Sequence, residues 1–155
     1  MAKIEYKELD DYMNSLKNLS SRKQKDIIEN TLYHGAKVVA DEIKKELEGL
    51  PTAENMHKGV TATEKKDMID GFGISPMRNQ EGTHDVKIGF DGYGSKPTKR
   101  FPKGVPIPLT VRSIISGTSF RKKNNFIQRA VNRSKKKAIE RMDEVLNENI
   151  KKEMK

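Results

Sequence analysis

The sequence predicts an α+β fold in which a small antiparallel sheet packs against two long helices. Apolar side chains recur at helical three-to-four-residue steps over residues 21–48 and 124–155. Two short segments between them alternate apolar with polar or small residues, as strands do. A length of 155 residues is typical of one domain, so residues 1–155 are predicted to form a single α+β domain.

The N-terminal part is predicted to begin with two amphipathic helices. Residues 1–20 are predicted to form the first, a short helix with the apolar stripe Tyr6, Leu9, Met13 and Leu16. The second begins at Ser21, whose hydroxyl suits a helix N-cap, and runs to Glu48. Gly49 and Pro51 end it. Its stripe comprises Ile28, Leu32, Ala36, Val39, Ile43 and Leu47.

The predicted sheet is an antiparallel hairpin. Residues 71–77 alternate large apolar with small side chains, and residues 84–90 place Val86, Ile88 and Phe90 on one face. Residues 79–83 supply the turn between the two strands. Ahead of the hairpin, residues 63–70 are expected to add one helical turn.

Residues 91–108 are predicted to form an extended loop arm. They hold four of the six prolines, which neither a helix nor a central strand tolerates. Long loops of this kind are usually functional or disordered. The apolar residues at the tip, Phe101-Pro102 and Val105 to Pro108, favour burial in a partner. We therefore expect the arm to be mobile in the free protein and ordered in an assembly, and a plain surface loop is the alternative interpretation.

The C-terminal part contains a short helix or strand over residues 109–115, which the Gly117-Thr118-Ser119 stretch ends. Asn124 or Asn125 is expected to cap the final helix, residues 124–155. Its apolar stripe starts at Phe126 or Ile127 and continues through Val131, Ala138, Met142, Val145 and Ile150.

Composition and charge limit the kinds of function. The chain has no Cys, which excludes disulfides, thiolate metal sites and cysteine nucleophiles. No segment is apolar enough for a signal peptide or a membrane span, so we expect a soluble protein made in the cytoplasm. The net charge is +9, and residues 92–139 hold 13 of the 31 Lys and Arg but none of the 22 Asp and Glu. The basic excess therefore belongs to one continuous segment.

Catalytic patterns are missing from the sequence. His34, His57 and His84 lie on different predicted elements without a carboxylate or second His at helical spacing, so no metal site is predicted. Neither a nucleophile elbow nor a phosphate-binding Gly-rich loop occurs. The paired carboxylates lie on helices that are predicted to face solvent. We therefore expect no enzyme activity and no cofactor.

The basic segment allows three interpretations. Its cations match phosphates electrostatically, which would favour a nucleic-acid-binding or DNA-packaging protein. However, its four aromatic residues are too widely spaced for base stacking, and no nucleic-acid-binding motif accompanies them. In the second interpretation, the cations of residues 133–137 only keep the outer face of the last helix hydrated. In the third interpretation a positive surface docks an acidic neighbour, as in an assembly or in a cytoplasmic regulator.

From residue 27 onward, the order of motifs resembles the tailed-phage neck and tail-completion family. The family has a long helix, a Val-x-Val/Ile-Gly strand, a Gly/Pro-rich loop with a Tyr, a Gly-Thr dipeptide and a Phe-Ile/Leu motif opening a long terminal helix. The matching residues are Val86 to Gly89, Tyr93 to Pro108, Gly117-Thr118 and Phe126 to Ala130. The chain departs from the pattern at Ile115, where the family commonly has Glu, and it lacks the prolines that flank the Phe motif.

This resemblance implies a virion protein without catalytic activity. It would join head to tail, or complete the upper end of the tail, as one subunit of a homo-oligomeric ring that contacts other neck, connector and tail proteins. Contact with DNA would be weak and nonspecific, and no membrane is involved. Gly117 and Thr118 would form a tight turn, and Phe126 and Ile127 would anchor the last helix. The expected subunit and partner contacts are Tyr93, Arg100, Phe101, Pro102, Val105, Ile107, Arg121, Lys122 and Lys123.

Overall fold

Residues 21–153 contain four helices and two small antiparallel sheets of two strands each, so the fold is α+β, as the sequence predicted. The computed structural model describes residues 21–153, so the short helix predicted for residues 1–20 lies outside the described residues. In chain order the elements are α1 (Ser21–Glu48), α2 (Ala62–Asp70), β1 (Phe72–Ile74), β2 (Arg78–Gln80), β3 (Thr83–Asp85), β4 (Ile88–Phe90), α3 (Ile107–Ser116) and α4 (Phe126–Glu153).

The two long helices pack against each other along much of their length. Helix α1 has the predicted bounds, and its predicted stripe is buried. At one crossing point a Cβ on Gly35 would overlap the Met142 side chain of α4, so any larger residue there would force that buried side chain to move. The core continues from this helix pair to Met68 of α2, Ile88 of β4 and Ile107 of α3.

The predicted hairpin is divided into two short pieces. Strands β1 and β4 pair with Ile74 opposite Ile88, whereas β2 and β3 pair with Arg78 opposite Asp85. Residues 75–77 connect β1 to β2, whereas only residues 86–87 connect β3 to β4. The segment between β1 and β2 therefore bulges by one residue. Pro76 is among the three, and it has no N–H to donate to a ladder. The prediction of two continuous strands was therefore wrong at this point.

Helices α2 and α3 are more regular than the sequence indicated. Helix α2 has nine residues rather than the single turn expected, and Thr61 and Glu64 form a reciprocal capping box that stabilises its N-terminus. Residues 109–115, predicted as helix or strand, belong to helix α3. Helix α4 begins at Phe126 rather than residue 124, and the side chain of Asn125 accepts the N–H of Gln128 at 3.3 Å.

Candidate partner-binding surface

The turn after α3 has the tight geometry expected of Gly117 and Thr118. Gly117 has a φ of +77°, and a side chain there would press against the backbone of Lys123. Thr118 closes the turn, because its hydroxyl accepts the N–H of Arg121 at 3.0 Å and its own N–H donates to the Arg121 carbonyl at 2.9 Å. The turn therefore sets the direction in which the Arg121 side chain leaves the backbone.

Arg121 lies inside the protein, only 7% exposed. Its guanidinium donates to Oγ of Ser113 in α3 and to Oε1 of Glu64 in α2. The other oxygen of Glu64 accepts the N–H of Thr61, so one carboxylate caps α2 and neutralises Arg121. This arrangement connects the turn to two helices that are distant in sequence.

The expectation that Arg121 contacts a partner was therefore wrong. A buried cation needs a charged, hydrogen-bonded partner, and Glu64 supplies it from within the chain. Its two neighbours, Lys122 and Lys123, are exposed and remain candidates for partner contact.

The two predicted anchors of the last helix have different roles. Phe126 is fully buried in the core, where its ring fixes the start of α4. Ile127 is half-buried and packs at the edge of the same core. Phe126 is thus the principal anchor of this helix end.

The Gly/Pro-rich segment is a closed loop rather than a free arm. Gly94 N–H donates to the Val105 carbonyl at 2.8 Å, and Ile107 N–H donates to the Gly92 carbonyl at 3.0 Å. The carboxylate of Asp67 in α2 accepts both the N–H and the hydroxyl of Ser95. The extended arm that the sequence predicted is therefore a closed loop, because both ends of the segment are paired and one is tied to a helix. Its mobility in the free protein stays a prediction.

The structure separates the predicted contact residues of this loop. Ile107 is only 4% exposed and begins α3, so its assignment as a partner contact was wrong: its side chain belongs to the core. Val105 and Phe101 are half-buried, and the Arg100 guanidinium lies 5.6 Å from the centre of the Phe101 ring. Pro102 and Tyr93 are exposed, Tyr93 by 61%.

Gly104 is the position on which the closed loop depends. It has a φ of +101°, and a side chain there would overlap the carbonyl oxygen of Gly94. Gly104→Ala is expected to open the base of the loop and raise amide exchange at Gly94 and Ile107 at least tenfold, while α4 keeps its protection. Gly82→Ala, at another positive φ but with open space around it, is the control. Unchanged exchange at Gly94 would contradict the closed-loop description.

Ion pairs between the long helices account for two more cations of the basic segment. Arg129 pairs with Glu46, and Arg133 pairs with both Glu42 and Glu46, at 3.0 to 3.2 Å. The hydrogen bond from Arg129 contributes most to holding the pKa of Glu46 below its ordinary value, although desolvation acts in the opposite direction. Hydrogen bonds to Glu42 and Glu46 raise the pKa of Arg133. These two arginines therefore contribute to helix packing.

The lowered pKa of Glu46 predicts a loss of stability in acid. A carboxylate with a lower pKa in the folded state stabilises that state above its unfolded pKa of about 4.3, and the contribution disappears as pH falls through the folded value. Glu46→Gln should therefore lower the urea midpoint more at pH 7 than at pH 3, whereas Glu48→Gln on the same helix should have little effect at either pH. An equal lowering of the urea midpoint by Glu46→Gln at both pH values would show that the charge of Glu46 is not the cause.

Three loops form one surface, which we call the loop face: residues 51–60, 92–106 and 117–125. Residues 51–60 lie between the other two, because His57 meets Phe120 edge to face with ring centres 5.4 Å apart. The same loop lines a cavity of about 480 Å³ with Arg121, Lys122 and Lys123. It lines another of about 360 Å³ with Gly94, Lys96, Pro97, Thr98 and Val105. Of the remaining predicted contact residues, Val105, Lys122 and Lys123 line these cavities, and Tyr93, Arg100, Phe101 and Pro102 belong to the same loop as Val105.

The loop face combines apolar and positive groups. Of the four large apolar side chains that are exposed within residues 21–153, it holds three: Met56, Tyr93 and Phe120. Glu54 is its single acid, and Glu54 pairs with Lys58. Its cations without an ion pair to any other described residue are Lys96, Lys99, Arg100, Lys103, Lys122 and Lys123.

Glu64 and Asp67 are the important residues that the sequence analysis missed. Thr61-Ala62-Thr63-Glu64 has the spacing of a capping box, so the helix start and the local role of Glu64 were detectable. The second role of Glu64, neutralising a cation 57 positions away, has no signal in the sequence. Asp67 likewise gives no indication that it holds Ser95.

Neither metal-binding clusters nor membrane spans emerge from residues 21–153. Within that range, no three His, Asp or Glu side chains come close enough to bind a metal ion, and no helix is long and apolar enough to cross a membrane. No protein-family model, curated protein or solved structure matches the chain.

Proposed function

We propose that the chain is a structural, non-enzymatic subunit of the neck of a tailed phage particle, where copies form a ring that joins head to tail or completes the upper end of the tail. The proposal begins from the order of motifs along the chain. Its partners would be other neck, connector and tail proteins, and its site of action the virion. The loop face would supply the contact with the neighbouring subunits.

The composition of the loop face is the observation that supports this proposal most. Exposed Tyr and Phe side chains are typical of the centre of a protein interface, where burial of large rings contributes most of the binding energy. Unpaired cations around them favour an acidic partner and speed its encounter.

The closed base of the loop adds to the same argument. A loop that is already ordered loses less conformational entropy on binding than a mobile arm does. A ring also needs different surfaces of each subunit to meet head to tail. The loop face on one subunit and the opposite surface of the next would satisfy that requirement.

Charge reversal on the loop face tests the proposal. Lys122→Glu with Lys123→Glu should leave the fold intact, since both side chains are exposed, and should abolish co-purification with co-expressed portal and tail-tube proteins. Lys135→Glu with Lys136→Glu is the matched control, because those exposed lysines lie on α4 outside the loop face. Arg121 is left unchanged, because a Glu at that position would face Glu64.

A basic nucleic-acid-binding or packaging-associated protein is the second candidate. The unpaired cations on the loop face favour this candidate, because Lys and Arg can neutralise the phosphates of DNA without any apolar contact. In the neck proposal, binding to a DNA duplex is weak and lost near physiological salt. Tight binding that the Lys122/Lys123 double variant abolishes, with co-purification unaffected, would favour the second candidate.

A further inference from the structure

The larger cavity at the loop face has an apolar wall that a ligand can reach. Its volume of about 480 Å³ is in the range of ligand-binding sites. The apolar residues that line it are Leu50, Pro51, Ala53, Val60 and Ile114. Pro51 is exposed, and Ala53 and Val60 are only half-buried, so these three keep surface for a ligand to cover. The ring contact between His57 and Phe120 joins the two loops beside the cavity, so its shape needs little rearrangement on binding.

The charge of this cavity is positive. Its charged lining residues within 21–153 are Lys58, Arg121, Lys122, Lys123 and Arg129, with no Asp or Glu. Three of them pair with acids outside the lining: Lys58 with Glu54, Arg121 with Glu64 and Arg129 with Glu46. Lys122 and Lys123 are exposed and have no ion pair with another residue between 21 and 153. Two positive charges therefore remain for a ligand to neutralise.

We propose that this cavity binds a segment of a partner protein in which a large apolar side chain stands between acidic residues. The apolar side chain packs against Ala53 and Val60, and the flanking carboxylates lie beside Lys122 and Lys123. The inference rests on the proposed function, because it takes the partner to be a protein, and it adds the chemical groups by which that protein binds the loop face.

The combination of an apolar wall with unpaired lysines is what selects such a segment. The phosphates of a nucleic acid would neutralise Lys122 and Lys123 but carry no apolar side chain to cover Val60. An uncharged apolar segment would cover Val60 but leave both lysines without counterions. Only a ligand that carries both kinds of group uses both parts of the cavity.

The blocked peptide acetyl-Glu-Glu-Leu-Glu-Glu-amide is the probe, and isothermal titration calorimetry of the full chain at physiological salt measures its affinity. The peptide with Gln in place of every Glu is expected to bind about tenfold more weakly, and so is the peptide with Ser in place of Leu. The Leu peptide should also shift the methyl resonances of Ala53 and Val60, which places it in the cavity.

Variants of the protein test which lysines are used. Lys122→Gln with Lys123→Gln should weaken binding of the Leu peptide about tenfold. Lys135→Gln with Lys136→Gln is the matched control and should leave the affinity unchanged, because those exposed lysines lie on α4 outside the cavity. Circular dichroism of both double variants separates lost binding from lost folding.

Three results would overturn the proposal. Equal binding of the Leu and Ser peptides would show that the cavity recognises charge alone. Displacement of the Leu peptide by a short DNA duplex at physiological salt would make a nucleic acid the preferred occupant. Failure of the Leu peptide to bind would overturn this inference by itself, because co-purification with portal and tail-tube proteins tests the proposed function separately.

Discussion

Replacing Arg121 by Met is expected to lower the free energy of unfolding by about 3 kcal/mol. The Arg121 side chain is 6% exposed and the Glu64 side chain 25%, so removal of the cation leaves a largely desolvated carboxylate without its counterion. Ser113 also loses the hydrogen bond that the guanidinium donates. Urea unfolding at neutral pH measures the loss.

The neighbouring residues provide matched controls for Arg121. Lys122→Met removes an exposed cation from the same turn and should change stability by less than about 0.5 kcal/mol. Glu64→Gln retains a side chain that can cap α2 but loses the charge. The double variant Arg121→Met with Glu64→Gln should therefore lose less free energy of unfolding than the sum of the two single losses. Strict additivity, or a loss no larger than that of Lys122→Met, would show that the pair does not stabilise the fold.

Replacing Phe126 by Ala is expected to lower the free energy of unfolding by about 4 kcal/mol. Phe126 is fully buried where α4 begins, so its truncation leaves a cavity in the core. The backbone on either side is fixed by packing and cannot move far enough to fill that cavity. Thermal unfolding followed by circular dichroism measures the loss.

Two apolar positions calibrate the Phe126 result. Ile127→Ala should have a smaller effect, because that side chain is only half-buried. Leu109→Ala should be nearly neutral, because that side chain is 44% exposed. A Phe126→Ala protein as stable as Leu109→Ala would contradict the assignment of Phe126 as the anchor of α4.

Local patterns in the sequence were sufficient for the fold class and for most of the helices. The stripe of α1 has a helical period over its whole length, and Gly49 and Pro51 end it, so its bounds were predictable. Gly117 was recognisable as a turn because its neighbours have no helical or strand period. Phe126 was expected as an anchor from the resemblance, because a Phe-Ile/Leu motif opens the terminal helix of that family.

Contacts between distant parts of the chain explain most of what the sequence analysis missed. Arg121 stands in an exposed-looking run of three cations, and nothing near it shows that Glu64 neutralises it. The loop at residues 91–108 looked free because its closure depends on Gly94 and Gly104 approaching each other across ten positions, and on Asp67. Formal charge also overstated the free positive surface, since Arg129 and Arg133 pair with acids of α1.

These contacts divide the basic segment into structural and available cations. Arg121, Arg129 and Arg133 pair with acids from the N-terminal half of the chain, Arg121 inside the fold and the other two at the surface between the long helices. Apart from Lys58, which pairs with Glu54, the lysines of the loop face and Arg100 have no ion-pair partner among residues 21–153. A functional test of the basic segment should therefore change the second group only.

The most direct test of the proposed assembly role is electron cryo-microscopy of the neck of tailed particles produced from the genome that encodes this chain. We expect a ring of density between the portal and the tail tube that fits residues 21–153, with the loop face of each subunit against a neighbouring protein chain. A resolved neck without this chain, or a ring whose loop face contacts only DNA, would contradict the account.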